Sequence, residues 1–247
     1  MPIPEHPYPS GGGGPGARKL EGDDGFKFSC GQFVGGGRFR LESIVGRGGM
    51  GLVWQAFDER LREQVALKFL SEQIRGNSAA LLTMRRETSR SRSLSHHHIV
   101  RTHDLYEAEG EPSFISMEYV EGLNLHQLAR QRGKHAFPWE QVQSWLRELC
   151  SALDYAHSRG VLHRDLKPAN VMLASRGELK LCDFGLAEAL RDPAAGDPGL
   201  SGGTLAYMSP QQLTGLPGAV TDDVYSLGAC VFELLSGVPP FSGADLV

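Results

Sequence analysis

The stretch 163–170 reads HRDLKPAN, and eighteen residues after Asp165 the triplet DFG begins at Asp183. Asp165 supplies a carboxylate that can accept a proton from a hydroxyl, and Lys167 supplies a positive charge for a phosphate. Asn170 and Asp183 supply an amide oxygen and a carboxylate oxygen, the kind of ligand that Mg²⁺ requires. Either motif alone is a frequent chance match, but the two in this order predict a phosphoryl-transfer site.

A glycine-rich segment lies upstream, where 44–53 reads IVGRGGMGLV and fits the pattern G-x-G-x-x-G-x-V. Glycines there let a hairpin lie close over a triphosphate and present backbone N–H groups to it. The pattern also suits a dinucleotide-binding fold, in which a helix follows the last glycine. The residues after Gly51 are LVWQAF, which give no helix signal, so the hairpin is favoured. The candidate phosphate-binding residues are Gly46, Arg47, Gly48, Gly49, Met50, Gly51 and Val53.

A lysine and a glutamate suited to holding the nucleotide follow this hairpin. Lys68 ends the short strand pattern VALK, from which it could reach the α- and β-phosphates. Glu87 lies in a helix predicted over about 79–93, where its carboxylate could pair with Lys68. A plain surface pair between Glu87 and the neighbouring arginines is the alternative that the pattern leaves open.

The apolar pattern divides the chain into a strand-rich half and a helical half. Strands are predicted at 39–45, 52–57, 64–69, 102–106 and 113–117. Apolar residues then recur every three or four positions over 142–156, and a second buried helix is predicted over 222–236, with Gly237 as its stop.

From about Arg38 to Val247 the chain resembles a eukaryotic-type protein kinase catalytic domain, and most of all the bacterial serine/threonine kinases of the Hanks type. The resemblance rests on the ordered motifs GRGGMGLVW, MEYVEG, HRDLKPANVML, GTLAYMSP and DVYSLG. It implies an α+β, protein-kinase-like two-lobed fold with a small β-rich N-lobe, one main helix in that lobe, and a larger, mostly helical C-lobe whose end is missing. The expected domains are a disordered Gly/Pro-rich tail at 1–37, an N-lobe at 38–118 and an incomplete C-lobe at 119–247.

The resemblance also implies a ligand set and residue roles. ATP and Mg²⁺ (or Mn²⁺) are the implied cofactors, and a protein Ser or Thr hydroxyl is the implied acceptor, because Lys167 stands where the family carries the lysine that goes with such acceptors. Thr204 resembles the threonine that bridges Asp165 and this lysine. Further residues implied to contact the nucleotide are Ala66, Lys68, Met117, Glu118, Val120 and Met172. A dimer of the chain is the arrangement expected for autophosphorylation.

Two positions depart from the family pattern. Gln211 stands where the family carries a glutamate that anchors the activation segment, and a neutral side chain is expected to weaken that anchor. Ser91, four residues after Glu87, is predicted to face an apolar spine formed with Phe184 and His163. A small polar residue there is expected to leave the helix free to swing out.

A regulatory site is predicted in the segment after DFG. Arg164 directly precedes Asp165, which in the family goes with activation by phosphorylation of this segment. Between Phe184 and Gly203 the only hydroxyl-bearing residue is Ser201. A phosphate on it would add about two negative charges that Arg164 could bind, so Ser201 is predicted to be an autophosphorylation site. The alternative, a small polar residue with no regulatory role, stays open.

Composition excludes several classes of function. The net charge of −4 gives no reason to expect nucleic acid as a partner. The cysteines at 30, 150, 182 and 230 show no CxxC spacing, so neither a zinc site nor a disulfide framework is expected. Three adjacent histidines at 96–98 are interpreted as part of a packed loop, because neighbouring histidines rarely converge on one ion.

The chain shows neither an apolar run long enough to span a membrane nor the charged-then-apolar order of a signal peptide. We therefore expect no membrane span in this chain and a cytoplasmic location, either for the chain itself or for the cytoplasmic part of a longer membrane-anchored protein.

Three function classes stay open at this point. The first is an active serine/threonine protein kinase, and the second is a non-catalytic kinase-like module that binds nucleotide or partners. A small-molecule phosphotransferase is a third class, and it is disfavoured because GTLAYMSP and DVYSLG resemble the parts that build a peptide-substrate platform.

Overall fold

The computed structural model describes residues 28–48, 51–108, 110–133, 135–185 and 202–241. The first part of the chain is rich in strands and the second is mainly helical. The α+β two-lobed fold that the resemblance implies is therefore confirmed.

Six strands form the sheet of the N-lobe. They are β1 (Phe33–Val34), β2 (Phe39–Gly48), β3 (Gly51–Asp58), β4 (Glu63–Leu70), β5 (Thr102–Tyr106) and β6 (Phe114–Glu118). Neighbouring strands are antiparallel, in the order β1-β2-β3-β4-β6-β5. Every residue of β4 from Val65 to Leu70 is buried, because one face of the sheet packs against an aromatic cluster and the other packs beneath a helix.

That helix is α2 (Ser78–Arg92), which follows the short α1 (Glu72–Arg75) and agrees with the helix predicted over about 79–93. It begins at Asn77, whose side chain accepts hydrogen bonds from the backbone N–H groups of residues 79 and 80. This cap satisfies N–H groups that the first turn leaves without partners. The buried residues of α2 are Met84, Glu87, Thr88 and Ser91.

The C-lobe contains a three-stranded sheet and five helices in its described part. They are β7 (Gly122–Asn124), α3 (Leu125–Gln131), α4 (Trp139–Ser158), β8 (Val171–Ala174), β9 (Leu179–Leu181), α5 (Gly202–Leu205), α6 (Pro210–Leu213) and α7 (Val220–Ser236). The main core lies between α4, α7 and the sheet. Gly237 ends α7 with φ of 79°, the left-handed conformation that favours glycine, as predicted.

None of the helices in the described parts of the chain combines the length and the apolar character needed to cross a bilayer.

The structure differs from the expected disordered tail at its C-terminal end, where residues 28–34 form a strap against the sheet. Phe28 is 6% exposed and packs on the rings of Trp54 and Phe69, and Val34 is 5% exposed. The backbone of the strap is fixed by hydrogen bonds in both directions between residues 31–32 and Leu41, at 2.7 and 2.8 Å. A prediction from Gly/Pro-rich composition does not detect such a segment, because two apolar side chains are enough to anchor it to the sheet.

We predict that Phe28→Ala destabilises the N-lobe by about 3 kcal/mol, since it removes a buried aromatic ring and leaves a cavity beside Trp54. The matched control is Phe33→Ala, because Phe33 lies in the same strap and is 53% exposed. Chemical denaturation of both variants measures the effect. Equal unfolding free energies for the two variants would mean that the strap does not contribute to the fold.

Candidate active site

The loop that carries Asp165 is held by one carboxylate of α7. Asp223 accepts hydrogen bonds from the backbone N–H groups of His163 and Arg164, both at 2.8 Å, and it is 1% exposed. Arg164 has φ of 66°, a left-handed conformation that non-glycine residues rarely adopt. Asp223 thus stabilises a strained backbone immediately before Asp165.

The side chains predicted around Asp165 are brought together. Lys167 Nζ donates to the Asp165 carboxylate at 3.0 Å and to Thr204 Oγ1 at 2.8 Å. Asn170 Nδ2 donates to the backbone carbonyl of Asp165 at 2.8 Å and to its carboxylate at 3.0 Å. Because the amide nitrogen of Asn170 is used in this way, its Oδ1 is the atom left to accept a cation.

Asp183 lies next to Lys68, with 2.8 Å between Oδ1 and Nζ. Burial opposes ionisation of Asp183, but the Lys68 ammonium more than offsets this and holds the pKa of the carboxyl below its usual range. The backbone of Asp183 is also left-handed, with φ of 67°. The carboxylate is therefore kept ionised on a loop whose geometry the surroundings must maintain.

Glu87 does not take the partner that was expected. Its Oε1 accepts from Arg90 Nη1 at 2.6 Å, and the ion-pair partner that the structure gives Lys68 is Asp183. The reason is proximity, because Arg90 lies one turn further along α2. This is the pairing with a neighbouring arginine that was considered as the alternative, although only Arg90 lies at the surface, at 57% exposed, while Glu87 is 5% exposed. Its Oε2 lies 2.5 Å from the place that a Cβ would occupy on Gly185, so a side chain at residue 185 would displace the Glu87 carboxylate, and the φ of 70° there also favours glycine.

The glycine-rich segment forms the hairpin that the sequence predicts. In the β2–β3 ladder, Gly46 is opposite Val53, Arg47 is opposite Leu52 and Gly48 is opposite Gly51. A Cβ on Gly51 would overlap the Phe69 carbonyl, so glycine is required there. The remaining two predicted residues of this segment, 49 and 50, lie outside the described residues.

Several residues predicted to contact the nucleotide share one apolar cluster. Its members from the prediction are Val53, Ala66, Met117 and Val120. Glu118 ends β6 and pairs with Lys180 at 2.8 Å, while Met172 lies in β8 opposite Asn124. The cluster therefore contains four of the predicted residues, while Glu118 lies on β6 next to Met117 and Met172 lies on β8 in the other sheet.

The segment that begins at residue 202 is anchored by residues that the sequence analysis did not identify. Gln211 is exposed, and the anchor is formed by its neighbours. Ser209 Oγ donates to Asp222 Oδ1 at 2.5 Å, and Gln212 Nε2 donates to the carbonyl of Arg164 at 3.0 Å. The sequence SPQQ carries the signal, because Ser-x-x-Gln is a capping box and the structure shows both of its hydrogen bonds.

Two other predicted features have different outcomes. Ser201 lies outside the described residues. The histidine triplet packs against the C-lobe, with His96 stacked on Tyr155 at 5.2 Å and hydrogen-bonded to Ser151. Among the described residues, no group of three or more potential ligands could hold a metal ion.

His163 links the loop of Asp165 to that of Asp183. It is fully buried, its ring packs on Phe184 at 4.7 Å, and Nε2 is 2.9 Å from the carbonyl of Cys182. Nδ1 accepts from the backbone N–H of Asp165 at 3.3 Å, so the ring is neutral and donates from Nε2. Burial lowers the pKa of His163 from its ordinary value of 6.5.

We predict that the free energy of unfolding decreases as the pH falls below 6.5, because the unfolded chain binds a proton there that the folded His163 does not. The slope from one such group is at most about 1.4 kcal/mol per pH unit. Thermal melts between about pH 7.5 and 5.5 should show a smaller dependence in His163→Gln than in the wild type. The exposed His126 provides the control variant, His126→Gln, and an equal slope in both variants would contradict the assignment.

Comparison with known proteins identifies the family of the chain. Residues 39–246 match the protein kinase domain family. The chain is 37% identical over 211 residues to the probable serine/threonine-protein kinase PknB of Lactococcus lactis, and this match covers 85% of the chain and 33% of that protein. It is 34% identical to the serine/threonine-protein kinase PknA of Mycobacterium tuberculosis, with coverage of 84% and 48%.

Comparison with solved structures also finds protein kinase domains. The kinase domain of PknI from Mycobacterium tuberculosis superposes with a TM-score of 0.72 at 30% identity, covering 87% of this chain and 78% of that one. The chain spans about a third to a half of the length of the curated relatives above. With the family match over residues 39–246 and a shared fold, the chain belongs to the protein kinase domain family.

Proposed function

We propose that this chain is the catalytic domain of an ATP-dependent protein serine/threonine kinase, which transfers the γ-phosphoryl group of ATP to Ser or Thr hydroxyls. The observation that supports this most directly is the hydrogen-bonded set of Asp165, Lys167, Asn170 and Thr204, whose side-chain contacts all lie within 3.0 Å. We would not expect a kinase-like domain that has lost its activity to keep these four side chains in hydrogen-bonding contact.

In the proposed reaction, the acceptor hydroxyl gives its proton to a carboxylate oxygen of Asp165. The hydroxyl oxygen then forms a bond to the γ-phosphorus, and the bond between that phosphorus and the bridging oxygen of ADP breaks. Lys167 is placed to neutralise charge on the transferred group, and its contact with Thr204 fixes the position of the ammonium. The protein contributes mainly positioning and electrostatic stabilisation.

The residues present fit a magnesium ion. Asn170 Oδ1 and the carboxylate of Asp183 are oxygen donors, and Lys68 keeps the Asp183 carboxyl ionised. Two side-chain ligands suit Mg²⁺, which usually retains several waters and also binds phosphate oxygens. Such an ion would supply positive charge to the β- and γ-phosphates.

Protein substrates, autophosphorylation between two copies and a cytoplasmic location belong to the same proposal. Contact between Lys167 and Thr204 supports a Ser or Thr acceptor, because it joins the catalytic loop to the segment on which a peptide would lie. Regulation by phosphorylation of Ser201 remains a hypothesis on a residue outside the described part of the chain.

One observation favours the second candidate, a non-catalytic module that binds nucleotide. Glu87 pairs with Arg90, so the contact with Lys68 expected of a catalyst is not among the ion pairs of the described residues. The two candidates differ in turnover and agree in nucleotide binding. The variants below separate them.

We predict that Asp165→Asn lowers turnover by about 10²- to 10⁴-fold, because it removes the group that accepts the hydroxyl proton. Binding of ATP should change little, since other side chains hold the nucleotide. Transfer of ³²P from ATP to a generic basic protein measures the first quantity, and calorimetry measures the second. Asp154→Asn, an exposed substitution on α4, serves as the control. Turnover of Asp165→Asn within tenfold of the wild type would remove the proposed role.

A second prediction concerns the metal. Tight binding of ATP should require Mg²⁺ or Mn²⁺, and Asp183→Ala should abolish both this requirement and phosphoryl transfer, because the anionic ligand is lost. Asn170→Ala should weaken the requirement without abolishing it. Nucleotide titrations with and without EDTA measure it. A wild-type rate unaffected by EDTA would show that the two-ligand site is wrong.

A further inference from the structure

The buried face of helix α2 is unusually polar. Three of its four buried residues are Glu87, Thr88 and Ser91, and only Met84 is apolar. A helix usually docks on its lobe through an apolar stripe. Among the described contacts, Ser91 bonds outside the helix, whereas Glu87 bonds Arg90 of the same helix and Thr88 Oγ1 is buried without a hydrogen-bond partner. The hydrogen bonding of this buried face to the rest of the lobe therefore depends largely on Ser91.

Ser91 makes such a bond to the metal-binding loop. Its Oγ donates to the carbonyl oxygen of Phe184 at 2.9 Å, between residues that are 93 positions apart in the chain. Both residues are buried, with 5% of Ser91 and 3% of Phe184 exposed. A serine inside a helix commonly bonds a carbonyl of its own preceding turn. Here the hydroxyl is directed out of the helix, to the residue that follows Asp183.

The loop that receives this bond needs support. Asp183 and Gly185 have φ of 67° and 70°, so two left-handed residues flank Phe184. Fixing the Phe184 carbonyl restrains the peptide plane between residues 184 and 185. The other backbone restraint nearby is weaker, since the N–H of Gly185 lies 3.3 Å from the carbonyl of His163. The contact from Ser91 is therefore well placed to maintain the conformation that presents the Asp183 carboxylate.

Apolar packing between residue 91 and the loop does not replace this hydrogen bond. A cavity of about 10 Å³, lined in part by Ser91, Met117 and Phe184, remains between the helix and the loop. That volume is about enough for one water molecule. The side chain at residue 91 therefore contacts the loop through its hydroxyl rather than by filling apolar space.

We propose that Ser91 is a positioning residue, whose hydroxyl couples helix α2 to the loop of Asp183 and so sets the affinity of the site for its divalent cation. The proposal rests on the proposed function, because it assumes that Asp183 binds a metal together with the nucleotide. It corrects the expectation from sequence that a small polar residue here would leave the helix without a hold on the loop.

Four variants separate the effect of the Ser91 hydroxyl from the effect of side-chain shape at residue 91. Ser91→Ala removes it, while Ser91→Thr and Ser91→Val have almost the same shape and differ in the hydroxyl alone. Ser89→Ala is the control, because Ser89 is exposed on the same helix and gains the same helix propensity from alanine. Calorimetry with the non-hydrolysable analogue AMP-PNP at increasing MgCl₂ gives the Mg²⁺ concentration for half-maximal binding.

We expect the alanine and valine variants at residue 91 to need about five- to tenfold more Mg²⁺, the factor expected from one buried hydrogen bond. Ser91→Thr and Ser89→Ala should stay within about twofold of the wild type. Binding of AMP-PNP in EDTA should be equal in all five proteins, which a general loss of structure would not allow. Unchanged Mg²⁺ requirements in Ser91→Ala, or equal requirements in the threonine and valine variants, would overturn the proposal.

Hydrogen exchange of the α2 amides gives a readout that does not depend on the metal. Exchange should be faster in Ser91→Ala and Ser91→Val than in Ser91→Thr, because the contact with Phe184 is lost. If the wild type binds AMP-PNP without regard to Mg²⁺, the proposed function fails, and the exchange data still decide whether Ser91 holds the helix. Equal exchange in all variants would refute the coupling.

Discussion

The site depends on one buried carboxylate. Asp223 accepts two backbone N–H groups of the catalytic loop and also lies 2.7 Å from Nε2 of His157 on α4. A buried backbone N–H that loses its partner costs free energy, so removal of this carboxylate would release two such groups at once. The loop before Asp165 is thus fixed to α7 and α4, two helices of the main C-lobe core. The geometry of the reacting groups is therefore tied to the packing of that core.

Hydrogen bonds donated by neutral side chains hold the neighbouring segment to the same core. Ser209 and Gln212 replace the ion pair that the family pattern led us to expect, and Ser226 of α7 donates to the carbonyl of Tyr207 at 2.7 Å. The bond from Ser209 ends on the Asp222 carboxylate and the other two end on backbone carbonyls, so no second buried charge has to be desolvated. The loss of a charge at Gln211 consequently need not loosen this segment.

The sequence predicted those parts of the site in which chemistry restricts the residue type. A base, a metal ligand and a phosphate-binding glycine each require particular atoms, so Asp165, Asn170 and Gly51 could be proposed for these roles from their order alone. Pairing of Glu87 could not be predicted, because Lys68 and Arg90 are both chemically suitable and only distance decides between them. Such distances depend on tertiary packing, which a pattern of residue types does not contain.

The same limit explains the strap at residues 28–34. The glycine-rich composition of residues 1–37 indicated disorder, yet Gly31 and the glycines at 35–37 adopt positive φ in turns, and Phe28 and Val34 are buried on the sheet. Composition indicates how much conformational entropy such a segment loses on folding. It does not show where the few apolar side chains of the segment can pack. By contrast, the strands of the sheet were predicted well, because their alternation is a local property.

The left-handed backbone at Arg164 and Asp183 has a consequence for protein engineering. Three non-glycine residues have positive φ in the described chain, and the third, Arg62, lies in the turn between β3 and β4. Glycine would relax the backbone at all three positions. A screen for thermostability would favour this substitution at the turn that holds Arg62, but at Asp183 it would also remove the carboxylate that pairs with the buried Lys68. The strained backbone at Asp183 is thus tied to a buried ion pair, and the stability gained by relaxing the one is opposed by the loss of the other.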